Sequence, residues 1–114
     1  MKGHISKILE LREDPKNVII DLRIAWAYEV AHIEGTINVP NLPEETLLER
    51  ICAIALDRGA PIYLFCMSGT KSESACEVLE EMGYLNVCDL GSFSGWKNGF
   101  ETPFGFQPYG DDDL

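Results

Sequence analysis

The chain has 114 residues, enough for one domain that buries its own core without disulfide or metal staples. It is 46% hydrophobic and 25% charged, a balance that excludes an intrinsically disordered chain. With 9 basic residues against 19 acidic ones the net charge is -10, which argues against nucleic acid and against anionic membranes as partners.

No run approaches the roughly 18 apolar residues of a membrane helix. The opening Met1-Lys2-Gly3-His4 leads into a mixed segment and not a signal-peptide core, so a cytoplasmic protein is expected. In chain order, the pattern predicts a short helix over Ser6 to Arg12 and a strand over Val18 to Leu22. A second, shorter strand covers Ile37 to Val39 and stops at Pro40. Pro43 suits the first turn of the next helix, with Glu44 and Glu45 beside it. Leu47, Leu48, Ile51, Ile54 and Ala55 form its apolar stripe and Gly59 ends it. Ile62 to Phe65 is the strongest strand. A helix follows in which Ala75, Val78, Leu79 and Met82 recur at i, i+3, i+4, i+7, with Glu73, Glu77, Glu80 and Glu81 facing water and Gly83 closing it. Val87 to Leu90 is the last strand.

Runs without polar alternation indicate strands buried on both faces, as in a parallel sheet. The alternation of strand and helix therefore predicts an α/β fold: an open, mostly parallel sheet of four to five strands with helices on both faces. One domain over residues 1–109 is expected, with 110–114 as an acidic tail. The aromatic segment Phe104 to Tyr109 either folds back on the domain or meets another chain. Sites in such sheets lie beyond the carboxyl ends of the strands, so the segments after Leu22 and Phe65 matter most.

Four cysteines are present, Cys52, Cys66, Cys76 and Cys88. None is spaced as CxxC and no His cluster accompanies them, so no metal site is expected. Cys52, Cys76 and Cys88 lie within predicted helices or strands and read as buried apolar side chains. Cys66 differs. It ends a buried strand and precedes the loop Met67-Ser68-Gly69-Thr70-Lys71-Ser72, after which a helix begins. Unpaired N–H groups of a first helical turn, and the helix dipole, favour negative charge there. A tight loop at Gly69 aims further amides inward as an anion nest. This position predicts a thiol held in its reactive thiolate form with no histidine partner. Lys71 is a cation where the dipole disfavours one, which an anion at the site would explain. On the residues alone, Cys66 as a small buried hydrophobe and Lys71 as a solvated surface lysine both stay open.

At this point the sequence resembles the rhodanese family over nearly its whole length. Cys66-Met67-Ser68-Gly69-Thr70-Lys71-Ser72 resembles that family's active loop, with Lys71 where Arg is usual; lysine keeps the charge and loses the planar fork. Asp21-Leu22-Arg23, Trp26, Tyr28 and His32-Ile33-Glu34-Gly35-Thr36-Ile37-Asn38-Val39-Pro40 resemble its upstream segment, with Ala27 for a common Glu and Ala31 for the usual Gly. Leu90-Gly91-Ser92-Phe93-Ser94-Gly95-Trp96 resembles its closing motif, with Ser92 for the second Gly.

The resemblance implies a sulfurtransferase that moves a sulfane sulfur from thiosulfate or a persulfide donor to cyanide or a thiol. Cys66 would be the nucleophile and carry the sulfur as a persulfide. The backbone amides of Met67, Ser68, Gly69, Thr70, Lys71 and Ser72 would hold it, and Lys71 would attract the donor's anionic end. Asp21 and Arg23 would lie beside the site, although a structural ion pair with the loop is the favoured reading of both residues. His32 fixes a turn, and Trp96 packs the C-terminal segment with its N–H on an acceptor. The chemistry is a double displacement that needs no metal or organic cofactor.

Two other readings remain. Phosphatases on a related fold place an arginine six residues after the cysteine; here that position is Ser72, and the basic residue comes one earlier. A persulfide carrier without turnover, or a binding or regulatory module, serving a sulfur-accepting protein is the non-enzymatic alternative.

Overall fold

The structure, a computed structural model, describes residues 1–40 and 44–109. Pro43 and the acidic tail 110–114 lie outside the described residues. A 3-10 turn over Ile5–Lys7 leads into α1 (Ile8–Leu11). Then come β1 (Val18–Asp21), α2 (Ala25–Val30), β2 (Ile37–Asn38), α3 (Glu44–Ile54), β3 (Ile62–Cys66), α4 (Thr70–Glu81) and β4 (Val87–Ser92). A 3-10 turn at Phe93–Gly95 is followed by β5 (Phe100–Thr102) and β6 (Gly105–Gln107).

The first four strands form one sheet in the order β2-β1-β3-β4, every pair parallel. The predicted α/β fold is therefore observed at its four-stranded limit. A stub of a fifth strand exists: Gly3 N–H donates to the Asp89 carbonyl at 2.9 Å and Asp89 N–H donates to the Met1 carbonyl at 3.1 Å. Successive side chains of a strand point to opposite faces, and the core divides accordingly. Ile20, Ile62, Leu64, Cys66 and Val87 face Leu47, Ile51, Ala75 and Leu79. Ile19, Phe65, Cys88 and Leu90 face Ile5, Ile8, Ile33 and Trp96.

Several boundaries differ from those expected. β1 stops at Asp21, β2 at Asn38, and β3 and β4 run on to Cys66 and Ser92. α3 ends at Ile54, not at Gly59, because Asp57 Oδ1 accepts the Gly59 N–H at 2.8 Å and turns the chain separately. Ile54 lies at the helix edge, 36% exposed. α4 begins at Thr70, so Thr70, Lys71 and Ser72 form its first turn and are not loop. Its buried stripe is Ser72, Ala75, Cys76 and Leu79, the expected periodicity placed one position-set earlier, while Val78 is half-buried and Met82 exposed. Gly83, at φ 95°, closes it as expected. The Tyr84 N–H reaches the Leu79 carbonyl and the Gly83 N–H the Glu80 carbonyl, a Schellman motif.

Helix α2 and the β5–β6 hairpin were not expected. Nothing in α2 is fully buried, and its N-cap Ile24 makes no side-chain cap, so it carries no apolar stripe and no start signal. The aromatic segment folds back as β6 against β5, and β5 is tied to the domain by reciprocal main-chain bonds between His32 and Glu101, at 2.9 and 2.7 Å. Phe104 at its tip remains exposed. Among the described residues no helix is long and apolar enough to cross a membrane.

Candidate active site

β3 delivers Cys66 to the carboxyl edge of the sheet, and the chain turns back at Gly69, whose φ of 94° is the left-handed conformation that glycine tolerates. A Cβ there would approach the main chain of Gly91 and Ser92 at 3.5–3.6 Å. The turn brings two amides onto the sulfur. Gly69 N–H donates to Cys66 Sγ at 3.0 Å and Ser72 N–H donates at 3.4 Å. Of the six amides expected around the site, these two touch the sulfur; those of Met67, Ser68, Thr70 and Lys71 make no hydrogen bond to Sγ.

Cys66 is 3% exposed overall, yet it is not sealed in the apolar interior. It lines a cavity of about 280 Å³ together with Leu22, Arg23, Ile24, Trp26, Ala27, Met67, Ser68 and Lys71. The cradle thus holds the sulfur from behind while its front meets a cavity large enough for a small molecule.

Below the cradle lies a residue that sequence reasoning missed. Asp89, 6% exposed, accepts the Ser72 hydroxyl at 2.7 Å and the Gly91 N–H at 2.8 Å, both on Oδ1. Ser72 Oγ stands 3.7 Å from Cys66 Sγ. The register of β3 against β4 shifts after Leu64, so that Leu64 pairs with Asp89 but Phe65 with Gly91. This bulge bends β4 beneath the active loop. The available signal was a lone aspartate inside the apolar run Val87 to Leu90, which must face either a partner or a site.

Ser92, the departure from a second glycine, also acts on the loop: its hydroxyl donates to the Met67 carbonyl at 2.7 Å. Arg23 and Asp21 have the structural role favoured on sequence, and they pair with each other. Arg23 Nε lies 3.1 and 3.0 Å from the two carboxylate oxygens, and Nη2 is 2.9 Å from Oδ2. Nη2 also donates to the Ala31 carbonyl at 2.7 Å, and the guanidinium carbon sits 3.9 Å from the Phe93 ring centre. Arg23 therefore needs no glutamate at position 27, and the Ala31 carbonyl serves as a further acceptor. Arg23 lines the cavity, with its Nε and Nη2 committed to Asp21 and to the Ala31 carbonyl. Asp21 is fully buried behind it.

His32 is not part of the cavity wall. Its Nδ1 lies 3.0 Å from the Tyr28 carbonyl and its ring stacks on Tyr28 at 4.0 Å. Trp96 is buried and donates from Nε1 to the Gly99 carbonyl at 2.7 Å.

The other cysteines sit in different environments. Burial, followed by the negative charge of Asp89, pushes the Cys76 thiol up to about 12. Burial raises Cys88 as well. Cys52 is half-buried and lines a separate open groove with Leu48 and Leu56, so it is not the fully buried side chain expected. Among the described residues no three His, Cys, Asp or Glu side chains come together as a metal site would require.

A four-stranded parallel sheet that presents one cysteine to two main-chain donors, at the edge where strands give way to helices, defines an α/β domain with a single cysteine at the mouth of its cavity. The chain belongs to the Rhodanese-like domain family, which it matches over residues 4–99. It is 38% identical over 72 residues to the thiosulfate sulfurtransferase PspE of Escherichia coli, a match covering 63% of this chain and 66% of that protein. It is 30% identical over 93 residues to the thiosulfate sulfurtransferase GlpE of Shewanella oneidensis, covering 81% of this chain and 87% of that one. Among solved structures, a rhodanese with anions from E. coli superposes with a TM-score of 0.62 at 31% identity, over 70% of this chain and 91% of its own.

Proposed function

We propose that the protein is a sulfurtransferase that takes a sulfane sulfur from thiosulfate or a persulfide onto Cys66 and passes it to a thiophilic acceptor, cyanide or a thiol. Relatives at 30–38% identity named thiosulfate sulfurtransferase support activity of this type. The observation that carries the reading is the pair of amides from Gly69 and Ser72 on Cys66 Sγ, at the back of an open cavity.

The Cys66 thiolate attacks the outer sulfur of the donor. A new S–S bond forms at Cys66, the bond joining that sulfur to the donor breaks, and sulfite or a thiolate leaves. The terminal persulfide sulfur then carries the negative charge, and it extends from Sγ toward the remaining loop amides and Lys71. Preorganised main-chain donors stabilise such charge without reorganising at the moment of reaction. The acceptor attacks the terminal sulfur and restores the thiolate. Electrons balance within each step, so neither metal nor organic cofactor is called on. His32, stacked on Tyr28, has no part in this chemistry.

Intact-mass analysis after incubation with thiosulfate tests the reading. The expected result is a gain of one sulfur atom, lost on addition of cyanide and absent in Cys66→Ser. A protein that gains no sulfur from thiosulfate or from a persulfide overturns it.

A further inference from the structure

The cavity in front of Cys66 is lined mostly by apolar side chains. Its volume, about 280 Å³, is close to the ~300 Å³ at which cavities begin to enclose small organic molecules. Two cations line it, Arg23 and Lys71. Arg23 is neutralised by Asp21, and its Nη2 also donates to the Ala31 carbonyl. Lys71 alone has no ion-pair partner among the described residues. One free positive charge does not balance a dianion that must also approach a thiolate on a chain of net charge -10.

Apart from Ser68 and Cys66 itself, the rest of the wall is apolar. Leu22 is fully buried at the back, while Ile24, Trp26 and Met67 stand 51%, 65% and 56% exposed around the mouth. Large apolar side chains left in water next to a reactive atom mark a surface that a ligand covers. Trp26 is on the short helix α2, where no apolar stripe requires it for packing.

Resting on the persulfide reading above, we infer that the preferred donor is an organic sulfane-sulfur monoanion, of the form R–S–S⁻ or R–SO2–S⁻. Its apolar R group lies against Trp26, Ile24 and Met67 and its single charge faces Lys71. In the transfer, Cys66 Sγ bonds to the terminal sulfur and the bond from that sulfur to R–S or R–SO2 breaks. The electron pair leaves as R–S⁻, which takes a proton from solvent, or as R–SO2⁻.

The test compares methanethiosulfonate with benzenethiosulfonate, which share the reacting group and differ only in the tail, with thiosulfate as the inorganic donor. The expected result is a kcat/KM for benzenethiosulfonate about tenfold above that for methanethiosulfonate, the order of effect of burying one small apolar group in the transition state, and thiosulfate as the poorest of the three. Trp26→Ala brings the ratio of the two thiosulfonates toward one. Trp26 is mostly exposed, so the variant retains the fold. Equal kcat/KM for the two thiosulfonates in the unaltered protein, thiosulfate as the best donor, or a ratio unchanged by Trp26→Ala each overturns the inference. Intact mass read in parallel separates the causes: sulfur on Cys66 without tail preference refutes this inference alone, whereas no sulfur from any donor refutes the parent reading with it.

Discussion

The hydroxyl of Ser72 donates its proton to Oδ1 of Asp89 at 2.7 Å, a carboxylate otherwise buried beneath the active loop. A hydroxyl has one proton, and a charge-assisted bond of this length takes precedence over the Gly69 carbonyl at 3.1 Å. Ser72 therefore turns a lone pair toward Cys66 Sγ, 3.7 Å away, while its main-chain N–H donates to the same sulfur. One residue both supports and opposes negative charge on Cys66, and Asp89 sets the second effect. The other ionisable groups near Asp89 include Lys2 on the N-terminal segment, Cys76 on α4 and Cys88 on β4.

Asp89→Asn changes that balance. An amide can donate to Ser72 Oγ and release the hydroxyl proton to Cys66, and it removes a buried negative charge nearby. The rate of Cys66 alkylation by iodoacetamide at neutral pH is expected to rise on the order of threefold to tenfold. Adding Ser72→Ala removes most of the gain, which a double-mutant cycle resolves. Slower alkylation in Asp89→Asn would show that the hydroxyl is not oriented as described.

The cysteines should separate chemically. With Cys76 pushed up to about 12 and Cys88 also raised, both remain thiols at neutral pH, and only thiolates react. Peptide mapping after brief iodoacetamide treatment should find Cys66 labelled first, the half-buried Cys52 more slowly, and Cys76 and Cys88 unlabelled until denaturant is added.

Alkaline stability follows from the same burial. The Cys76 thiol titrates at about 12 in the folded chain against 9.0 for an unperturbed group. Between those values the unfolded chain holds fewer protons, so its stability relative to the folded state gains as pH rises. The contribution is intact below about pH 9 and is lost toward pH 12. Cys88, Tyr63 and Tyr84 are raised and act with the same sign. Urea midpoints should fall between pH 8 and pH 10.5, and Cys76→Ala should lessen the fall without abolishing it.

Asp21→Asn leaves the Arg23 guanidinium buried without its counter-charge, since the two side chains are 0% and 4% exposed. Breaking such a pair from one side costs about 3–5 kcal/mol. Urea denaturation should show a loss of that order. A loss under 1 kcal/mol would mean that the Ala31 carbonyl and the Phe93 ring suffice to hold the guanidinium.

What could be read in advance tracks how local the cause was. Cys66, Gly69 and a helix after them were legible because a strand, a glycine and a helix lie consecutively in the chain and their electrostatics follow from the order, although that helix starts at Thr70, inside the expected loop. A structural role for Asp21 and Arg23 was legible for the same reason. Asp89 was not, because its partners Ser72 and Gly91 reach it through a bulge that depends on the pairing of β3 with β4. Trp26 was legible as part of a motif but not as a cavity wall, since α2 has neither a cap nor a buried face. The end of α3 was misplaced because Asp57, not Gly59, makes the turn.

The bonds that Gly3 and Met1 make to Asp89 have a practical meaning. They occupy part of the outer border of β4, where an unpaired strand would otherwise invite association with a neighbour. They also grip the residue that reaches under the reactive sulfur, so the first three residues of the chain help to locate its chemistry.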